Sequence, residues 1–277
     1  MDRVFDIAII GGGPAGYNAA ASAAKAGKNV VLFEKSELGG VCLNVGCIPT
    51  KALLFSAKVL DYTSHADKYG IECQGGSANV AKLFARKTKI VKKLTGAVGL
   101  KLRNSGVTVV KAQACLNGKT QGLFRIDSQE QDYYAANVLL CSGSETVIPP
   151  IPGLKEGLGS YVLTSDMALN LNSIPQEIAI IGGGVIGMEF ASFFCSMGAK
   201  VTVIEMAQQI LPGFDNELTD YLQKAYAKKG ITFMLDTKVT AVSAQGINYS
   251  SQQETDGFLK TPLCLVSVGR RPNASAL

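Results

Sequence analysis

Apolar and polar positions along the 277-residue chain form two similar series. The first opens on four apolar residues, Ile7–Ile10, the pattern of a strand buried on both faces. A glycine cluster follows, and then small residues from Tyr17 to Ala26 that suit a closely packed helix ended by Gly27. A second strand, Val30–Phe33, runs into Glu34. Helical patterns are expected over roughly Thr50–Lys68 and Ala78–Arg103. From Val107 to Ile126 the pattern is strand and turn, punctuated by Gly106, Gly118 and Gly122. Asn137–Cys141 reads as another buried strand leading into Ser142 and Gly143. Pro149-Pro-Ile-Pro-Gly153 breaks regular structure and sets an expected boundary between domains of residues 1–149 and 150–277.

After that boundary the opening pattern returns. Ile178-Ala-Ile-Ile-Gly-Gly-Gly184 repeats Ile7-Ala-Ile-Ile-Gly-Gly-Gly13 residue for residue, and Gly187, Gly198 and Glu205 match Gly16, Gly27 and Glu34. A helix over Glu217–Lys229 is expected next, with short strands around Ile231–Leu235, Val239–Val242 and Cys264–Val268. The chain then reads Gly269-Arg-Arg-Pro-Asn273.

Strand, glycine cluster, helix, strand and acid in this order carry a specific chemistry. Gly11 makes a tight turn, Gly13 lets backbone approach a pyrophosphate, and Gly16 lets helix and strand pack closely. The helix N-terminus between them, at Pro14 and Ala15, faces the phosphates. Glu34 is placed to accept hydrogen bonds from ribose hydroxyls, with Lys35 beside it. Gly182, Gly184 and Gly187, with Val185 and Ile186 opening the helix, repeat the arrangement. Glu205 would bond a ribose 2′-hydroxyl and repel a 2′-phosphate. No Arg follows it in the next loop, so NAD is favoured over NADP.

Between the two halves of the first series lies Gly39-Gly-Val-Cys-Leu-Asn-Val-Gly-Cys-Ile-Pro-Thr-Lys51. Cys42 and Cys47 are close enough in sequence for a small disulfide ring. Cys47 falls at the start of a helical pattern, where the positive end of the helix dipole favours a thiolate. Two buried cysteines near a turn would be the plain alternative for such a spacing by itself. Seven cysteines with no secretory signal point to a reducing compartment, and Cys115, Cys141, Cys195 and Cys264 read as core residues. An apolar content of 47% with 18% charged residues describes a globular protein with large cores. The net charge of +5 is spread out. The run Arg86–Lys93 reads as the solvated face of a helix, so neither nucleic acid nor a membrane is an expected partner. No apolar run is expected to reach the length of a membrane span. The single histidine, His65, reads as a surface residue, and no metal site is assigned.

Two dinucleotide units joined by a close cysteine pair resemble the flavoprotein disulfide reductases, and within them the dihydrolipoyl dehydrogenases. The carrying residues are the Gly39–Leu54 stretch, Gly182–Glu189, Glu205 and Gly269–Asn273. The resemblance implies an α/β fold of two Rossmann-like dinucleotide-binding domains, FAD in the first and NAD in the second. It places Gly11, Gly13, Pro14, Ala15, Gly16, Glu34, Lys35, Gly40, Val41, Ala114, Ser142 and Gly143 around FAD. Cys47 would lie beside the flavin, and Cys42 would exchange with the substrate. Lys51 would pair with Glu189 near the flavin. Gly182, Gly184, Val185, Ile186, Gly187, Glu205, Val239 and Gly269 would bind NAD.

The implied reaction carries electrons from a dihydrolipoyl dithiol through the Cys42–Cys47 disulfide and FAD to NAD+. The implied partner is a lipoyl-bearing protein or free dihydrolipoamide, and the implied location is the cytoplasm. Members of that family are homodimers whose C-terminal dimerisation domain also supplies a proton shuttle. This chain has no counterpart of it after Asn273, so a truncated form with weak or no activity alone is expected. Alternatives are a mercuric or glutathione reductase type of enzyme, or a dinucleotide-binding module without catalysis.

Overall fold

The computed structural model describes residues 4–129, 131–251 and 256–274. They form two compact units, one of Met1–Pro49, Thr88–Glu145 and Arg271–Leu277, the other of Thr50–Lys87 and Thr146–Arg270.

In the first unit the expected opening is present: β1 (Val4–Ile10), α1 (Pro14–Lys25) and β2 (Val30–Phe33). Two helices follow, α2 (Gly40–Val45) and α3 (Cys47–Ser64), the second passing into the other unit. The next helix, α4 (Val80–Asn104), returns to the first unit. The remaining strands are β3 (Thr108–Val110), β4 (Cys115–Thr120), β5 (Leu123–Ser128), β6 (Gln131–Leu140) and β7 (Ser144–Thr146). β1 to β6 build a six-stranded sheet in the order β3-β2-β1-β6-β5-β4, and β7 lies outside it. β3, β2, β1 and β6 run parallel, whereas β5 and β4 turn back antiparallel.

Alternation along β1 and β2 feeds two cores. Ile9, Val30 and Leu32 pack with Ala20, Ala21, Val98 and Leu102. Ala8, Ile10, Val31 and Phe33 pack with Ala114, Ile126 and Tyr133 on the other face. Phe33 meets the Tyr133 ring edge-on at 5.0 Å. Each fully buried large apolar side chain of this kind contributes roughly 1.5–3 kcal/mol.

The second unit contains β8 (Val162–Leu163), α5 (Ser165–Ala168), β9 (Glu177–Ile181), α6 (Val185–Ser196), β10 (Lys200–Ile204), α7 (Asn216–Lys229) and β11 (Thr232–Met234). These are followed by β12 (Thr237–Ser243), β13 (Gly246–Ser251), β14 (Gly257–Lys260) and β15 (Cys264–Val266), and β16 (Arg270–Pro272) passes back into the first unit. A parallel sheet, β11-β10-β9-β15-β8, packs against an antiparallel ribbon, β12-β13-β14. Ala179, Ile181, Ile204 and Val266 of the sheet share one core with Val239, Val242 and Ile247 of the ribbon. Phe190, Phe193 and Phe194 bury the inner face of α6.

Four expectations need correction. Asn137–Leu140 is a strand, as expected, but not a buried one: Leu139 and Leu140 are exposed. Cys115 is exposed. It stands on the edge strand β4, where the two-residue period turns its neighbour Leu116 inward. Lys87, expected on a solvated face, is buried, and its Nζ donates to Asn170 Oδ1 at 3.1 Å. Finally, the helical stretch Gly40–Ser64 does have the length and apolar composition of a membrane-crossing helix. Its hydrophobicity is split by Gly46, whose backbone (φ −140°, ψ −116°) ends α2 before α3 begins.

Candidate dinucleotide and dithiol site

In the first unit the sheet changes direction of growth between β1 and β6, and a crevice opens at their C-terminal ends, where doubly wound sheets bind ligands. It holds a cavity of about 610 Å³. Gly11 and Gly13, with Pro14 and Ala15 at the start of α1, form one wall, and Glu34 and Lys35 after β2 form the next. Gly40, Val41 and Cys42 of α2 close a third side, with Ala114, Ser142 and Gly143 completing the lining.

Gly11 has φ +108°, and a Cβ there would lie 2.1 Å from the Cys141 carbonyl oxygen. Gly16 lies outside the lining, where a Cβ would be 1.8 Å from the Gly11 oxygen. The first and last glycines therefore shape the loop, and Gly13 leaves room above it. Glu34 is fixed by two backbone donors: Gly12 N–H to Oε2 and Ser36 N–H to Oε1, both at 2.7 Å. Each oxygen keeps a lone pair for a further donor.

The second unit reproduces these relationships. Gly182 has φ +105°, and a Cβ there would lie 2.7 Å from the Ser267 oxygen. A Cβ at Gly187 would lie 2.1 Å from the Gly182 oxygen. Glu205 Oε2 accepts from Gly183 N–H at 2.7 Å, and Oε1 from Ala207 N–H at 2.8 Å. Val185 and Ile186 begin α6 directly after Gly184. The units differ above the middle glycine. A Cβ at Gly13 would meet Gly40 Cα at 3.7 Å, whereas one at Gly184 would meet nothing within 4 Å. Of the remaining residues expected around this loop, Gly269 has φ +129° and its carbonyl accepts from Val147 N–H. Val239 points its side chain into the core.

The family model described as pyridine nucleotide-disulphide oxidoreductase matches residues 5–277. The chain belongs to this family. Dihydrolipoyl dehydrogenase of Acholeplasma laidlawii is 39% identical, with all of this chain and 82% of that protein covered. The Bacillus subtilis (strain 168) protein of the same name is 38% identical over 98% of this chain, but only 59% of its own length is covered. Among solved structures, the HOCl-induced flavoprotein disulfide reductase RclA from Escherichia coli superposes with a TM-score of 0.81 at 30% identity. That match covers 98% of this chain and 58% of the other.

The family's name couples a nucleotide to a disulphide; of the cysteine pair, Cys42 reaches the cavity from α2, and Cys47, expected beside the flavin, is outside its lining. Cys42 lines the cavity and is half-buried, whereas Cys47 is exposed at the first position of α3. The helical stretch breaks at Gly46, where a Cβ would lie 2.9 Å from Val41 O and 3.2 Å from Cys42 Cα, so a side chain there would force backbone to shift. Lys51 follows one helical turn after Cys47, and its Nζ meets Glu189 Oε1 of α6 at 2.6 Å.

Several lining residues had no role assigned from the sequence, Asn44 and Asn273 among them. Asn44 donates to the Leu38 and Gly40 carbonyls at 3.0 Å each and so ties α2 to the loop before it. Asn273 donates through Nδ2 to Ser142 O at 3.1 Å and accepts from Ser142 Oγ at 2.6 Å through its carbonyl. Both lie inside motifs quoted above, which was the available signal. Burial pushes the thiol of Cys141, also in the lining, up from its ordinary value.

Proposed function

We propose that this chain works as a dihydrolipoyl dehydrogenase-like oxidoreductase, with FAD held in the first unit, within residues 1–149, and NAD in the second, within residues 150–277. The observation carrying the proposal is one cavity lined by the Gly11–Ala15 loop, Glu34 and Cys42. The donor set fits a dinucleotide: N–H groups at a helix start for phosphates and a pre-oriented carboxylate for a ribose. FAD, when bound, would accept an electron pair from the thiols and deliver it to the nicotinamide.

The protein's own part is thiol exchange and charge placement. A dihydrolipoyl thiolate attacks Cys42 Sγ, the Cys42–Cys47 bond breaks, and Cys47 leaves as a thiolate. The second substrate thiolate then attacks its own sulfur in the mixed disulfide, releasing the oxidised cyclic product and a Cys42 thiolate. Lys51 places positive charge one turn from Cys47, and Glu189 orients it. The contact between Gly13 and Gly40 covers the first loop, which favours retention of its nucleotide. The open space above Gly184 favours exchange at the second.

The lipoyl substrate is preferred over other disulfides because relatives at 35–39% identity carry that name. The test is the visible spectrum of purified protein with added FAD, before and after anaerobic NADH. A bound-flavin band that gains long-wavelength absorption supports the proposal. Protein that stays colourless and takes up no FAD overturns it.

A further inference from the structure

Three helices of the second unit meet at a polar node. Asp61 lies near the end of α3, Ser196 ends α6 and Lys229 ends α7. Lys229 Nζ donates to Asp61 Oδ2 at 2.8 Å and to Ser196 Oγ at 2.5 Å. Ser196 Oγ donates in turn to Asp61 Oδ2 at 2.9 Å. The adjacent Cys195 thiol donates to the Lys229 carbonyl at 3.3 Å, locking α6 to the C-terminus of α7. A serine beside a lysine invites comparison with a nucleophile and its base, but here the lysine Nζ is the donor to both Asp61 and the serine, and the serine's own hydroxyl is directed to Asp61.

The same two helices, α3 and α6, meet a second time at Lys51 and Glu189. Along α3, Lys51 and Asp61 are separated by about 15 Å, and along α6, Glu189 and Ser196 by about 10 Å, at the usual helical rise. α3 and α6 therefore run in the same direction, pinned at two levels. One helix begins at Cys47 and the other at the second glycine loop. The upper pin, with a half-exposed lysine on a flexible stem, is too weak to fix a helix by itself. The lower node makes three mutually supporting bonds among partly buried groups, in a setting where such bonds strengthen one another.

We propose that the Asp61–Ser196–Lys229 node is a positioning site that sets the register of α3 on α6 and thereby brings Lys51 to Glu189. The role depends on the reading under Proposed function only in making α3 the helix of the redox cysteine.

The test uses the whole chain and reads Lys51 directly, with no cofactor needed. Amine acylation at pH 8 is followed by peptide mass spectrometry, with the exposed Lys28 as internal reference. Asp61→Asn and Ser196→Ala are expected to raise Lys51 acylation several-fold, as its Nζ loses the Glu189 contact that occludes it. The level approaches that of Glu189→Gln, and Asp61→Glu restores the original rate. Unchanged Lys51 acylation in the folded variants overturns the proposal. If Asp61→Asn does not fold, Ser196→Ala, which keeps the ion pair, decides by the same criterion. Loss of FAD uptake with an intact Lys51 response would instead count against the cofactor reading alone.

Discussion

Lys51 Nζ lies 2.6 Å from Glu189 Oε1, an ion pair joining the helix that begins at Cys47 to the helix that follows the second glycine loop. The lysine side chain is 56% exposed, so water screens most of the attraction. Glu189→Gln should therefore shift the urea midpoint by no more than about 1 kcal/mol of stability. With FAD bound, it should slow NADH-driven reduction of the cysteine pair, about tenfold per 1.4 kcal/mol of lost charge stabilisation. Rapid-mixing absorbance measures the second effect, and a large stability loss with unchanged reduction would contradict the assignment.

Replacing Gly11 should behave unlike replacing Gly13. Gly11→Ala adds a methyl 2.1 Å from Cys141 O at a left-handed backbone position, so the first unit loses stability by several kcal/mol. Gly13→Ala and Gly184→Ala meet ordinary contact or open space and should leave the melting temperature nearly unchanged. Each should nevertheless weaken its own dinucleotide, because the methyl stands where phosphates approach. Calorimetric unfolding and equilibrium dialysis with FAD or NADH separate the two effects.

Lys87 should cost stability at neutral pH. Burial holds its ammonium below the ordinary lysine value, so the unfolded chain binds more protons up to about pH 10.5. Stability from this group therefore rises with pH through that window. Lys87→Met should stabilise the protein at pH 7, on the order of 1 kcal/mol, with the gain shrinking toward pH 10. The exposed Asn170 can give its freed oxygen to water. A pH series of unfolding midpoints for both proteins checks the sign.

The thiol of Cys264, buried among Ala179, Val162 and Val266, is pushed up to about 12. Its proton is retained in the folded state between about pH 9 and pH 12 and lost on unfolding, so its contribution to stability falls across that window. Alkylation should modify the exposed Cys73 and Cys115 quickly in native protein and reach Cys264 only after unfolding. Modification of Cys264 at native rates would show that this core opens.

Much of the site was legible because its signals are local. Ile7–Ile10 and Ile178–Ile181 are short apolar runs that only a doubly covered parallel strand accommodates, and both are strands. Val30–Phe33 is the strand β2 without adjustment, and Glu217–Lys229 is α7 but for one residue. Cys47 does open a helix. Less of the antiparallel additions could be read. Gln131–Ala136 of β6 and the ribbon strands β13 and β14 are polar and alternating, and they become strands as β6 pairs with β5, β13 with β12, and β14 with β13. Each pairing joins strands that follow one another in the chain, but half-exposed alternating residues carry only the weak, context-dependent preference that packing on the neighbouring strand completes.

The sequence by itself determined the repeated glycine loops, their acids and the cysteine spacing, because a tight turn, a close backbone approach and a helix start each demand particular residues nearby. Tertiary structure alone decided which charges are satisfied and how. Lys51, Lys87 and Lys229 all sit in helical patterns. One meets a carboxylate in a half-exposed pair, one is buried on an amide, and one joins a three-helix node. A helix surface carries charge at the same spacing whatever later packs against it, so burial and partner come only from the element that arrives.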